Sequence, residues 1–500
     1  MKFLKNGMQW KTGKTAGCGG VIGVTAVALV FGLAPCGFAG TSATKALKRL
    51  PRKDVTFTGS KQGQSVGFVD INGDGIDDKI VGAPYASVTS RPGAVLVYRG
   101  KTSGEFSGTP AMILSGEDNY GYSFVNLGDV DGDDKEDFAV AALNGGGPDV
   151  SLSGSVTVYQ GGRNRNFGKR WRNGRASYFA EASPWYGRAA GKVIAKVAGE
   201  EPLDKFGIFV STGDLNNDGL RDLIVGAPFH TADPAAYQGG AVYVFFAPDF
   251  TDQVALHSTV LNKGLGWSAA AGDINGDTIA DLCLSASGAV LCYHGAPDFA
   301  PAIDAPDVTI KSASKGFGKA LAVANVSGDA TGDIVIGAPN AVINGNRDTG
   351  SIYVVQGGPA LGTVTVDTPS PELIARIDGA ALFDRFGAAL AVDGGESGAA
   401  ALIVGAPMAD LDAFHHLTGK VYHFSGQEIS ETTTLADATI FAGYTRDQSY
   451  GASLATDESR LLCGAPGTDR NTGWVSMVDL VTGQPVPGGS SGGSTAAESY

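Results

Sequence analysis

Asp70-Ile-Asn72-Gly-Asp74-Gly-Ile76-Asp-Asp78 runs directly into Lys79-Ile-Val-Gly-Ala-Pro84, and the reading of this stretch decides the fold. Oxygen-bearing side chains stand at positions 1, 3, 5 and 9 of a nine-residue loop. A hard cation such as Ca²⁺ takes oxygen ligands from a tight turn in this spacing, with the backbone carbonyl of position 7 as a further donor. The apolar run that follows has the length and composition of a short buried strand. The same unit recurs. Asp129, Asp131, Asp133 and Asp137 form a second loop with Lys135 at position 7. Asp214, Asn216, Asp218, Leu220 and Asp222 form a third, and Asp273, Asn275, Asp277, Ile279 and Asp281 a fourth. A fifth copy, Asn325, Ser327, Asp329 and Asp333, has lost two carboxylates and is expected to be weak. The sixth keeps Asp393 without the spacing, and the seventh is shortened.

An EF-hand would need a bidentate Glu at position 12 and flanking helices. Position 12 is instead Val81, Val140, Val225 and Leu284, each within an apolar run. Four Ca²⁺ sites are therefore expected, with a fifth weak one, in a structural and not a catalytic role. Mg²⁺ would demand a tighter octahedral site. Gly stands at position 6 in the first and third loops. Asp134 and Thr278 replace it in the second and fourth, where strain is expected.

Working outward, each unit carries three signposts. An aromatic-Gly pair comes first: Tyr120-Gly121, Phe206-Gly207, Phe317-Gly318, Phe386-Gly387 and Tyr450-Gly451, with Gln62-Gly63 and Leu265-Gly266 in the same slot elsewhere. The acidic loop follows, then a strand ending in Gly-Ala-Pro at Gly82, Gly226, Gly337, Gly405 and Gly464, or in a degenerate version at Ala141 and Ser285. Seven units result, spaced 52 to 68 residues apart except for a gap of 85 between Ala141 and Gly226. Further strands, such as Gly93 to Tyr98 and Val308 to Lys311, bring each unit to four. Seven such units predict an all-β, seven-bladed β-propeller of four-stranded blades. The last blade lacks an outer strand, and a lone strand, Val55-Thr-Phe57, precedes the first unit. Pairing of this N-terminal strand with the last blade is expected to close the ring and remove two sheet edges.

The ordered series of aromatic-Gly, Asp-x-Asp-x-Asp-Gly-x-x-Asp and Val-Gly-Ala-Pro resembles the FG-GAP repeats of the integrin α-chain headpiece, over roughly residues 54–482. The resemblance implies cation loops between strands 1 and 2 of a blade, on the lower face, and ligands engaged by loops on the upper face. It covers only the propeller. Leg domains, an inserted adhesion domain, a C-terminal membrane helix and the catalytic domain of the phospholipase D that carries similar repeats have no counterpart in these motifs.

Composition agrees with this reading. Charged residues are only 18% of the chain, hydrophobic residues 43%, and Gly numbers 74 of 500. Tight turns and buried strands suit those proportions. The net charge of −14 repels phosphate, so no specific nucleic acid partner is expected. Residues 1–39 read as a signal peptide: Lys2, Lys5, Lys11 and Lys14 precede an apolar run from Val21 to Ala34 and a small-residue site at Gly37-Phe-Ala39. An uncleaved N-terminal anchor is the alternative, and membrane contact is expected only in that case. Secretion to the extracellular space or cell surface, or to the periplasm of a Gram-negative cell, fits weak Ca²⁺ sites. Cys283 and Cys292 face each other across a short hairpin and form a disulfide or remain two buried thiols; Cys463 reads as a core residue. Residues 483–500 read as a Gly/Ser-rich disordered tail.

Residues 163–192 are an insertion in which Glu181 alone opposes eight basic residues interleaved with aromatics. Such a segment binds an acidic polymer, or packs its aromatics on the propeller and pairs with the acidic lower face. His230, His257, His294, His415, His416 and His423 form no His-Glu-x-x-His or other spaced ligand set, and Gly489-Ser-Ser491-Gly-Gly493 has no strand before it to make a nucleophile elbow. No catalytic or cofactor residues are assigned. The leading expectation is a calcium-binding propeller mediating adhesion or binding of a protein or glycan ligand. A polysaccharide-active enzyme and a structural scaffold of an exported assembly are the alternatives.

Overall fold

A computed structural model describes Lys48–Arg49 and residues 60–483, apart from 87–92, 109, 147–149, 163–192, 233–236, 262, 395–397, 412–415, 426–427, 444–448, 458 and 468–472. The predicted segments 1–39, Val55–Phe57, 163–192 and 484–500 lie outside the described residues.

Seven sheets follow in chain order. Blade 1 is Val66–Val69, Asp78–Ala83, Ala94–Tyr98 and Met112–Ser115; blade 2 is Tyr120–Gly128, Asp137–Ala142, Ser155–Tyr159 and Val193–Ala198. Blade 3 is Val210–Gly213, Asp222–Ala227, Ala241–Phe245 and Gln253–His257; blade 4 is Ala269–Gly272, Asp281–Ala286, Ala289–Tyr293 and Val308–Lys311. Blade 5 is Ala320–Ala324, Asp333–Ala338, Ser351–Val355 and Leu373–Asp378; blade 6 is Ala389–Asp393, Ala401–Ala406, Lys420–Phe424 and Thr439–Ala442. Blade 7 has three described strands, Ser453–Asp457, Arg460–Ala465 and Trp474–Asp479. Within blades the pairing is antiparallel throughout. The protein is a seven-bladed β-propeller.

Two edge strands are not marked by the repeats. Thr363–Thr365 adds in parallel to the outer strand of blade 4. Lys48–Arg49 adds in parallel to the outer strand of blade 6, N-terminal to the expected start of the propeller at residue 54.

Burial explains the strand composition. The second and third strands of each blade are covered on both faces, so they read as unbroken apolar runs such as Leu223-Ile-Val rather than as an alternation. The first strands of blades 3, 6 and 7 are half-buried, as suits strands with one side toward the axis of the ring, whereas that of blade 1 is buried throughout. They pack on one another from blade to blade, including blade 7 on blade 1. Each of the seven seams holds its own apolar cluster.

The two glycine signposts turn out to be one contact. At the seam of blades 1 and 2, a Cβ on Gly82 would stand 2.1 Å from the carbonyl oxygen of Gly121, which is held at φ +84°. Only glycine fits both places. The contact recurs as Gly226 on Gly266, Gly337 on Gly387 and Gly405 on Gly451. Gly464 meets Gly63 in the same way, across the seam where blade 7 meets blade 1. There Gln62 bridges Gly473, the Ser453 hydroxyl donates to the Gly63 carbonyl at 2.8 Å, and Val66 and Phe68 pack with Leu462, Val475 and Met477. The ring is closed.

Cys283 and Cys292 are register partners in blade 4 and are joined by a disulfide. Cys463 is a buried free thiol whose pKa burial pushes up to about 12, as suits an inert core residue.

Candidate functional site

All five acidic loops lie between the first and second strands of blades 1 to 5, and position 9 of each opens the second strand. Position 1 organises the turn. Asp70 accepts the N–H groups of Gly73, Asp74 and Gly75 at 2.9, 3.2 and 2.7 Å. Asp129 does the same for Gly132, Asp133 and Asp134, Asp273 for Gly276, Asp277 and Thr278, and Asp214 for Asp218 and Gly219. Position 5 accepts the N–H of position 7: Asp74 from Ile76, Asp218 from Leu220 and Asp277 from Ile279. These bonds curl the loop so that its carboxylates converge although they repel one another.

Position 9 is a fully buried tie. Asp222 accepts Leu215 N–H at 3.0 Å and Ala247 N–H at 3.1 Å. Asp137 accepts from Val130 and Gly161, and Asp281 from Ile274 and Gly295. Asp78 accepts from Gly100 and from the Asn72 amide, and Asp333 from Val326 and Ser327. Each of the first four carboxylates therefore also holds the connection between strands 3 and 4 of its blade. Burial pushes these acids up, Asp78, Asp137 and Asp281 to about 6 and Asp222 to about 7. Desolvation opposes their charge more than the hydrogen bonds support it. A bound cation would reverse that balance.

The second loop fits a calcium ion as it stands. Bonds of about 2.3–2.6 Å hold the oxygens of one site within about 5 Å of each other. Carboxylate oxygens of Asp129, Asp131 and Asp137 all lie within 4.8 Å of one another. Burial, then the neighbouring Asp133 and Asp129, raise the pKa of Asp131. Asp133 Oδ1 is buried without a hydrogen-bond partner. Position 3 is Asn in the first, third and fourth loops. The amides of Asn216 and Asn275 donate to Asp218 and Asp277 there, and that of Asn72 to Asp78.

The copies differ in ways that spacing alone does not show. In the second loop the ammonium of Lys135 lies 2.7 Å from Asp133 Oδ2, so a side-chain cation offsets the extra carboxylate. Asp134 and Thr278 both adopt positive φ, at 61° and 75°, as their place at position 6 requires. In the fifth loop Asn325 replaces the first carboxylate, and Gln356 donates to Asp329 Oδ2 at 2.7 Å. In the sixth, Asp393 ends its strand opposite Ala401, which takes position 9. In the seventh, Arg460 takes position 9 and pairs with Asp457 and with Asp77 of blade 1.

The loops also stitch neighbouring blades through their backbones. The carbonyl of position 1 accepts an N–H from the loop of the next blade: Asp70 from Glu136, Asp214 from Ala280, Asp273 from Gly332 and Asn325 from Ala400. The Glu136 carboxylate returns to Asp70 N–H at 2.7 Å. The nine-residue pattern does not single out Glu136 or Arg460, because both act across a seam.

A closed propeller with acidic loops at its seams defines the class. Within it, models of the FG-GAP repeat match residues 206–245 and 317–355, and a model of the FG-GAP-like repeat matches 70–140. The chain is an FG-GAP-repeat propeller resembling that of integrin α chains. It is 32% identical to integrin alpha-4 of Xenopus laevis over 176 residues, 34% of this chain and 14% of the relative. It is 30% identical to integrin alpha-V of Gallus gallus over 38% of this chain and 16% of the relative. To the phosphatidylinositol-glycan-specific phospholipase D of Bos taurus it is 26% identical, over 62% of this chain and 40% of the relative. The matches thus span less than half the length of these relatives. Among the described residues, no helix is long and apolar enough to cross a membrane.

Proposed function

We propose that this protein is an exported, calcium-stabilised propeller that binds a protein or glycan ligand at the cell surface or outside the cell. The observation that carries this reading is the commitment of the acidic loops to the seams. Their first carbonyls hold the next blade and their ninth carboxylates hold the strand 3–4 connections. An ion bound there acts on the ring and leaves the opposite loops free for recognition. The Cys283–Cys292 disulfide suits an oxidising compartment, and millimolar external calcium suits sites of modest affinity. The integrin α relatives agree with this reading, whereas the phospholipase D relative keeps the enzymatic alternative open.

The test is a binding screen of the intact chain against glycans and surface proteins, in millimolar calcium and in chelator. Saturable binding in calcium that falls in chelator, together with a calcium-dependent rise in thermal midpoint, supports the reading. Absence of any retained ligand removes the binding claim, and a midpoint indifferent to calcium removes the metal claim. Turnover of a polysaccharide or phosphodiester would favour the enzymatic alternative. Retention of an acidic polymer that is lost when the basic residues of 163–192 become Ser would assign that segment.

A further inference from the structure

Blade 3 carries a second group of metal-ligating side chains, at the strand ends opposite to its acidic loop. His230 lies just beyond Pro228, in the turn between the second and third strands. His257 ends the fourth strand, in register with Ala241. Glu200 and Asp204 come from the connection that leads in from blade 2.

The His230 side chain is 3% exposed. Its Nδ1 stands 3.0 Å from Asp204 Oδ2, which also accepts the Glu201 N–H at 2.9 Å. A carboxylate at Nδ1 makes that nitrogen the donor, and in the neutral ring it leaves a lone pair on Nε2. Nε2 is buried and has no hydrogen-bond partner, and the same is true of His257 Nε2. Both point at one carboxylate: His230 Nε2 is 3.9 Å from Glu200 Oε2, and His257 Nε2 is 3.9 Å from Glu200 Oε1. That is too long for a hydrogen bond. The three ligand atoms lie within 4.8 Å of one another. A tetrahedral ion with bonds of about 2.0–2.1 Å holds its ligands about 3.3 Å apart. Glu200 is half-exposed and can move the remaining distance.

Blade 6 supplies the internal control. Asp384 repeats the scaffold of Asp204: it accepts Ala381 N–H at 2.9 Å, and its carbonyl accepts Met408 N–H at 3.3 Å, as Asp204 does from Phe229. Yet Ala380, Ala409 and Ala442 stand where blade 3 has Glu200, His230 and His257. Ala86 and Ala341 fill the His230 place in blades 1 and 5, and all three alanines of that place are buried. The Asp belongs to the fold; the Glu-His-His trio does not, because the same turn closes over Ala.

We propose that Glu200, His230 and His257 bind a divalent ion of the zinc class, with Asp204 as the positioning residue that orients His230. Two imidazoles and one carboxylate suit Zn²⁺ and its neighbours, whereas Ca²⁺ takes only oxygen. A carboxylate behind a ligating imidazole is the usual outer support of such a site. Three protein ligands leave a fourth position for water or a ligand group. The site is independent of the acidic loops, so its failure and theirs are separable.

The test titrates the intact chain with Zn²⁺ in millimolar calcium, and with Co²⁺ for its visible spectrum. One Zn²⁺ per chain and the intense absorption of four-coordinate Co²⁺ are expected. Glu200→Gln and His257→Gln each remove a ligand at a partly exposed position, and each should weaken binding at least about 100-fold without moving the zinc-free thermal midpoint. Asp204→Asn should weaken it about 10- to 100-fold. Absence of Zn²⁺ uptake in calcium overturns the proposal. So does uptake that both Gln variants leave intact, which would assign it to exposed groups such as the His416–Asp410 pair.

Discussion

Asp222→Asn separates the two roles of a position-9 acid. In the metal-free protein burial raises Asp222 to about 7, so near neutrality it is substantially protonated. An amide resembles that neutral form: it keeps one acceptor for Leu215 N–H or Ala247 N–H and presents a donor to the other. The expected cost in chelator is about 1–2 kcal/mol, from one imperfect buried hydrogen bond. Calcium changes the comparison. With about 1 mM Ca²⁺ and a dissociation constant on the order of 10⁻⁴ M, one loop would contribute about 1.4 kcal/mol by mass action. The substituted amide cannot supply the charge, so this increment should vanish for the third loop alone. Asp222→Ala provides the contrast, since it strands both N–H groups and should cost about 2–6 kcal/mol even in chelator. Urea unfolding of the intact chain, with calcium and with chelator, gives the double difference. If Asp222→Asn keeps the whole calcium increment of the wild type, the third loop does not hold the ion and the reasoning fails.

The position-9 acids also set a pH dependence. Their folded pKa values, about 6 to 7, lie above the ordinary value of 3.8. The metal-free native state therefore binds the extra protons, and its stability falls as pH rises through 6–7. Calcium-loaded protein should show the opposite slope, because acid displaces the ion; parallel midpoint-versus-pH curves in calcium and in chelator would refute this. Thr278→Gly removes a β-branched residue from φ 75° and should raise stability by about 1 kcal/mol by scanning calorimetry. Asp134→Gly should gain less, since Asp tolerates that region better, and an equal or larger gain would contradict the strain account. Gly464→Ala places a methyl 2.1 Å from the Gly63 carbonyl oxygen and should cost about 3 kcal/mol or more. An unshifted thermal midpoint would show that the closing seam is not packed as described.

The fold is legible because propeller repeats write their seams into the chain. Aromatic-Gly and Gly-Ala-Pro are separated in sequence but meet in space, one blade apart, so the spacing of one predicts the place of the other. The outer strands are harder. Thr363–Thr365 and Lys48–Arg49 pair at blade edges, where few apolar residues are needed and no repeat marks them. The acidic loops are legible as ligand sets, since each is local. Spacing gives Lys135 only a backbone role, because its charge matters through the folded proximity of its ammonium to Asp133. The His230–His257–Glu200 group is not legible at all. Its members are 27 and 30 residues apart, on two connections and one strand end, and no spacing rule covers that. One signal is present: His230 interrupts a slot that holds Ala86, Ala341 and Ala409 in other blades.

Position 9 read around the ring links the loops to closure. Blades 1 to 5 carry Asp there, blade 6 carries Ala401 and blade 7 carries Arg460. Where the acidic loop is intact, a buried carboxylate holds the strand 3–4 connection and a cation from solvent can balance it. Where the loop has contracted to the turn between Asp457 and Arg460, the protein supplies its own cation. The Arg460 guanidinium pairs with Asp457, reaches Asp77 of blade 1, and lies 5.2 Å and 5.4 Å from the ring centroids of Phe68 and Phe106. Asp77 needs that charge, because burial and the nearby Asp457 raise it to about 6. The seam that joins the two ends of the propeller is thus neutralised from within. Closure of the ring therefore does not depend on an ion at this seam, and under the proposed function calcium would stiffen only the arc in which the nine-residue loops survive.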